Sequence, residues 1–244
     1  MIAILSPAKN MKTGAAADTV PAFLQQAHYL GSICKDMTPA ALESCLRLSP
    51  ELALKSYMMW QDWQADKAVG SAATVYNGIA FTYLGADDFS PQDMQYAADH
   101  LYILSALYGV LRASDGICPY RLEMMCRAFP GGNLYRYWGN TVYNTVVRPG
   151  ETVINLASRE YSRMITDHAA PQDHIIDVHF LTHKKGKLTE QATYAKMARG
   201  SMARFISKNR LDAPEKLKAF SQFGYEYSKK LSTPRKYVFV REVQ

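Results

Sequence analysis

Long apolar runs are missing from this sequence. None approaches the roughly 18 residues that a membrane span needs, and MIAILSPAKN lacks the basic start and long apolar centre of a secretion leader. A cytoplasmic protein with no membrane partner is therefore expected. Cysteine is scarce: Cys34, Cys45, Cys118 and Cys126 are the only four, and no two form a C-x-x-C pair. Their apolar contexts predict reduced core thiols rather than zinc ligands, and neither a metal site nor a cofactor is expected. Repeats, linkers and low-complexity segments are also lacking, so residues 1–244 read as a single domain.

The first half of the chain is short of positive charge. Residues 1–110 carry 6 Lys or Arg against 10 Asp or Glu, whereas residues 111–244 carry 22 against 12. The formal net charge of +6 thus conceals a strongly basic second half. Such asymmetry points to a polyanionic partner, nucleic acid first, and the plain alternative is a solvated surface with evenly spread charge.

What is present is a mixture of strand and helix patterns without strict alternation. Met1–Leu5 reads as an interior strand running into Ser6-Pro7-Ala8-Lys9, a loop able to place an ammonium beside a phosphate or carboxylate. Phe23, Ala27, Leu30 and Cys34 follow a helical period, and Thr38-Pro39 and Ser49-Pro50 each cap a further helix. Thr74–Leu84 (TVYNGIAFTYL) is rich in β-branched and aromatic residues around Asn-Gly, which predicts one bulged strand or two short ones. Ser90-Pro91-Gln92-Asp93 is a capping box that opens a helix to about His100.

The chain is organised around LYILSALYGVLRASDGICPYRLEM, Leu101–Met124. Two geometries fit Leu101–Arg112. A continuous apolar run favours a buried strand and loop, while Leu101, Leu104, Tyr108 and Leu111 also allow a helix-hairpin-helix-like element. In LYRYWGN, Arg136 stands between aromatics that could stack on bases, Tyr137 and Trp138 among them, or pack a core edge. Thr152–Asn155 is a strand that enters a helix through Asn155 and Ser158, where free N–H groups would suit an anion, and a simple capped helix is the commoner explanation. Ile175–Thr182 and Leu188–Tyr194 predict a hairpin with a basic tip at Lys184-Lys185-Gly186-Lys187. Ala195–Arg210 is a helix with Lys196, Arg199, Arg204, Lys208 and Arg210 opposite an apolar face, and Gly200, Ala203 and Ser207 lie between the cations. That face would admit a phosphate backbone closely. Phe223–Tyr227 and Tyr237–Arg241 close the chain as strands. The whole predicts one α+β domain with a central mixed sheet flanked by helices.

SPAK after the first strand, LSALYGVLRASDGICPYRLEM, LYRYWGN, VINLASREYSRMI, YAKMARGSMARFISKNRL and FGYEY occur in an order that resembles the YaaA family of bacterial peroxide-stress resistance proteins. The resemblance runs nearly end to end. Asn10, Ala106 and Ala113-Ser114 depart from it, and the alanine at 106 stands where a helix-hairpin-helix would carry glycine. The resemblance implies a cytoplasmic protein that limits iron-driven oxidative damage and binds DNA through a basic cleft in an α+β fold.

Charge and motif position nominate Lys9, Arg112, Arg121, Arg136, Lys196, Arg199, Arg204 and Lys208 for phosphate contact, with Tyr137, Trp138, Asn155 and Ser158 beside them. Base-specific readout has no evident carrier, so structure-selective DNA binding is expected. The alternative is an enzyme acting on a nucleotide or a base, in a pocket lined by Lys9, Arg121 and Glu123, with Tyr161 as a further catalytic candidate. A structural Arg121–Glu123 pair would explain the same residues. Asp177, His179 and His183 are too few to define an iron site.

Overall fold

The computed structural model describes residues 1–184 and 186–242. One sheet holds strands β1 (Ile2–Leu5), β2 (Leu101–Ser105), β3 (Gly109–Arg112), β4 (Thr152–Asn155), β5 (His174–Lys184), β6 (Lys187–Thr189), β7 (Tyr225–Tyr227) and β8 (Lys236–Glu242). Helices α1 (Leu24–Asp36), α2 (Pro39–Leu46), α3 (Pro50–Asp62), α4 (Ala72–Val75), α5 (Ile79–Leu84) and α6 (Pro91–His100) precede β2. Helices α7 (Leu134–Trp138), α8 (Thr141–Val146), α9 (Arg159–Thr166) and α10 (Ala192–Lys208) follow β3.

The strand order is β3-β2-β1-β4-β5-β8-β7, with β6 paired to the end of β5. The β1–β2, β1–β4, β4–β5 and β5–β8 pairs are parallel, and β3, β6 and β7 are antiparallel to their neighbours. IAIL and LYILS are buried at every position, as parallel strands covered on both faces must be. This is the α+β architecture that the sequence predicts. Helices α5 and α6 each pack on α10, and α6 and α10 lie over β1, while α7 and α8 pack on α9, which reaches β2.

From β1 the chain crosses to β2 on one side, and from β4 it crosses to β5 on the other. The carboxyl ends of β1 and β4 therefore bound a switch-point crevice, where open sheets of this kind hold ligands.

Three sequence expectations are corrected. Leu101–Arg112 is an antiparallel β-hairpin, so the strand geometry holds and the helix-hairpin-helix alternative does not apply to this segment. Ser105 Oγ accepts the N–H groups of Leu107 and Tyr108 at 3.2 and 2.9 Å, which folds the turn, and Gly109 takes φ +70° against the Trp138 ring. Thr74–Leu84 is not strand: it runs from α4 into α5 with Gly78 extended between them. All four residues of α4 are buried, so no in–out alternation exists there, and helix packing overrides the β-propensity of the side chains. Finally, Cys45 and Cys126 form a disulfide, with Cα atoms 5.0 Å apart. Only Cys34 and Cys118 are buried free thiols, pushed up to about 12 and about 11 by burial.

The caps match the sequence. Thr38 and Ser49 accept from Ala41 and Leu52, and Ser90 and Asp93 complete a capping box. The β5–β6 hairpin also forms, but β6 ends at Thr189, and Ala192–Tyr194, expected in that strand, are the first turn of α10; Lys185 of the basic tip lies outside the described residues.

The closest helix contact is made by Gly200. A Cβ added there would fall inside the Ala80 carbonyl of α5. Helix propensity alone would reward Gly→Ala by about 1 kcal/mol. Gly200→Ala is instead expected to destabilise by about 1–3 kcal/mol through overpacking, read as a lower urea midpoint at unchanged slope.

Candidate functional site

A cleft of 370 Å³ opens at the carboxyl ends of β1 and β4. Five segments wall it: residues 5–10 after β1, 77–81 at the start of α5, 120–122, 156–161 at the start of α9, and Lys196 and Arg199 of α10. Two loops meet through serines. Ser6 Oγ accepts the Ser158 N–H at 2.7 Å and donates to Ser158 Oγ at 3.1 Å. Ser158 is therefore occupied by Ser6 and does not cap α9 with its side chain. The first amides of α9 consequently face the positive end of its dipole without a side-chain acceptor.

Charge in the cleft is concentrated and incompletely paired. Lys9 Nζ lies 2.7 Å from Glu123 Oε1, and Arg121 Nη2 reaches the same oxygen at 3.4 Å. Arg121 is half-buried, and among the described residues its buried Nε has no partner. Arg199 Nη2 pairs with Glu190 at 2.8 Å, but its Nε is likewise buried and unpartnered. Lys196 is exposed at the rim. Burial raises the Glu160 carboxyl above its ordinary value, and the Glu123 charge adds to that; the Met124 amide and Lys9 oppose it.

Behind the wall runs a chain of hydroxyls. Tyr76 Oη and Tyr120 Oη are 2.8 Å apart, and Tyr120 Oη is 2.8 Å from Ser105 Oγ. Burial pushes Tyr120 up to about 12 and Tyr161 well above its ordinary value. Both phenols stay protonated at neutral pH, so Tyr161 can donate a hydrogen bond but is a poor general base. Apolar wall from Leu5, Pro7, Phe81 and Leu122 completes the cleft. The arrangement suits an anion that carries a flat or apolar part.

Of the residues nominated from sequence, the structure brings Lys9, Arg121, Ser158, Tyr161, Lys196 and Arg199 together around the cleft, with Glu123 behind Lys9. The others lie elsewhere. Arg112 pairs in register with Tyr102, at the end of the hairpin away from Ser105. Arg136 is on α7 and donates to the Gly131 carbonyl. Trp138 is 2% exposed and donates from Nε1 to the Ala106 carbonyl, so it packs the core and cannot stack on a base. Tyr137 stacks on Tyr29. Asn155 spends its side chain on Asp177 Oδ1 and the Ala157 amide and does not line the cleft.

From Arg199 onward the basic face of α10 is paired within the molecule. Arg204 forks onto Asp88 and also donates to the Leu84 and Gly85 carbonyls, which closes the end of α5. Lys208 meets Asp88 and Asp93, and Arg210 meets Asp93. Gly200, Ala203 and Ser207 are buried, so the small-residue stripe serves helix packing and gives no access to a phosphate backbone. Among the described residues no three His, Cys, Asp or Glu side chains gather as a metal set. Also among them, no helix is long and apolar enough to cross a membrane.

Sequence reasoning missed Ser6, Tyr120, Glu160 and the start of α5. Glu160 was within reach, because it occupies the first turn after Ser158; the α5 wall was hidden by its strand-like composition.

The sequence profile of the family described as peroxide stress protein YaaA matches residues 1–231. A UPF0246 protein of Limosilactobacillus fermentum is 39% identical over 244 residues, spanning 98% of this chain and 99% of that protein. Relatives of the same description from Ligilactobacillus salivarius and Agathobacter rectalis are 37% and 35% identical, each covering 98% of both chains.

The Asp93 cluster predicts a pH response. Hydrogen bonds from Ser90 and Lys208 hold its carboxyl at about 2, below the ordinary 3.8. A depressed value stabilises the fold above the ordinary value, and that stabilisation is lost as pH falls toward the folded one. Thermal melts should show wild type losing Tm through this window. Asp93→Asn should melt lower at neutral pH and lose less on acidification; equal slopes would refute the assignment.

Proposed function

The chain belongs to the peroxide stress protein YaaA family, and from that premise we propose that it acts in the cytoplasm by binding DNA at the switch-point cleft. Lys9, Arg121, Lys196 and Arg199 take phosphates, and one unstacked nucleotide unit enters the 370 Å³ cavity between Phe81 and Leu122. Recognition is of DNA structure, since a duplex end, bulge or single strand exposes such a unit at little cost. Protection from iron-driven damage then follows from occupancy of DNA and needs no metal held by the protein.

Arg121 carries this reading. A half-buried guanidinium with an unpartnered Nε, at the crevice where this topology places ligands, is costly unless something anionic visits it. Fluorescence anisotropy with duplex, bulged and single-stranded DNA at two salt concentrations tests it. Bulged or single-stranded DNA should bind more tightly than duplex, and all should weaken with salt. Arg121→Ala should cost about tenfold or more in affinity and lower the salt slope by about one. An unchanged affinity would remove the cleft from DNA binding.

A second reading, an enzyme acting on the enclosed nucleotide or base, is favoured by Glu160. Its raised carboxyl is placed to hold or move a proton beside the ligand. As pH rises through that raised value, Glu160 becomes charged and anion affinity should fall. Glu160→Gln should abolish that step. If Glu160→Gln retains DNA affinity yet loses protection from peroxide, catalysis is the better account; loss of both together favours binding alone.

A further inference from the structure

A second basic concavity lies at the opposite edge of the sheet. It measures 710 Å³ and opens where β4, β5 and β8 begin, with Thr152, His174, Lys218, Lys229, Arg235 and Tyr237 in its wall. No residue is shared with the switch-point cleft. Parallel strands run from one edge to the other, so a straight segment lying along either edge leaves the other free.

Its cations differ from Arg204, Lys208 and Arg210 of α10. Lys218, Lys229 and Arg235 in the wall, and Lys230 and Lys236 beside them in sequence, are all exposed, and none takes part in an ion pair among the described residues. The neighbouring Lys216 is paired with Asp212. Two carboxylates are close. Glu215 lines the concavity, while Asp173 at its margin is engaged by the Ala170 amide and the Tyr143 hydroxyl, each at 2.7 Å. Lys218 Nζ is held over two rings, 5.6 Å from the Tyr227 centroid and 5.3 Å from that of Tyr237. Arg235 is fixed by donation to the Pro171 carbonyl. The cations of this hollow outnumber its carboxylates and repel one another until a multivalent anion lies across them.

We propose that this edge is a second phosphodiester-binding surface, so that one molecule holds two nucleic-acid segments at once. The contacts go to phosphates and ignore sequence: Tyr237 is buried beneath Lys218 and offers no free face to a base. For the first segment the proposal rests on the cleft reading above.

The test uses the full chain. A short duplex is fixed to beads, protein is added, and retention of a second, fluorescent duplex is measured. Wild type should retain it, and the triple variant Lys218→Glu, Lys229→Glu, Arg235→Glu should not. The triple variant also removes the Lys218 contacts with Tyr227 and Tyr237 and the Arg235 bond to Pro171. The double variant Lys229→Glu, Lys230→Glu, exposed and free of such contacts, is therefore run beside it and should melt like wild type yet retain less of the second duplex. The salt slope of second-duplex capture should shrink by about 2–3 for three lost phosphate contacts. Full retention by the triple variant overturns the proposal, as does an acidic peptide that binds this edge more tightly than DNA. A Lys196→Glu variant separates the two readings. If it binds DNA like wild type while the triple variant loses all binding, the cleft reading fails and the basic edge stands as the nucleic-acid surface.

Discussion

The structure depends on β1 being gripped on both sides. Ala3 lies in register with Leu101 of β2 and Ile154 of β4, which brings together segments about a hundred and a hundred and fifty residues away from it. That parallel pairing creates the switch point. Because β1 and β4 send their chains in opposite directions, the Ser6–Asn10 and Leu156–Tyr161 loops face each other across a gap, and the Ser6–Ser158 hydrogen bonds close it from below. The position of the cleft is thus a consequence of strand order, and its charge is supplied afterwards by Lys9, Arg121, Lys196 and Arg199.

The charge asymmetry between the halves has two separate outcomes. Much of it is internal bookkeeping: Asp88 and Asp93 of the acidic half neutralise Arg204, Lys208 and Arg210 of the basic half. These contacts bring α10 to α6 and to the turn after α5, and they are part of how the two halves recognise each other. Lys196 at the cleft and Lys218, Lys229 and Arg235 at the starts of the strands are among the cations that have no ion pair among the described residues. Net charge by segment therefore overstates the basic surface, and only the pairing pattern shows where it survives.

Much of the architecture was legible in the sequence because local chemistry and tertiary packing agree there. Thr38-Pro39, Ser49-Pro50 and the Ser90–Asp93 box are self-contained signals, and IAIL has no good alternative to a covered strand. Legibility fails where a long-range partner decides. TVYNGIAFTYL has strand-like side chains but becomes two helices because α5 must meet Gly200 of α10. Trp138 reads as a stacking residue until the hairpin turn at Ala106 is known to receive it. Cys45 and Cys126 stand 81 residues apart, and nothing local joins them. For the cleft, motif position identified the residues on the β1 and β4 loops, while the apolar wall from α5 and the acid at Glu160 needed the fold.

The central place of β1 also bears on synthesis at the ribosome. This strand is made before both of its neighbours and has neither until β2 and then β4 follow. At about 5–20 residues per second, the wait for β4 is roughly 10–30 s. Throughout that interval Ile2–Leu5 is an apolar segment with both edges open, competent to pair with any other nascent strand. The sheet can therefore close around β1 only after β4 has been made, and the cleft that β1 helps to build waits for Lys196 and Arg199 of α10 as well.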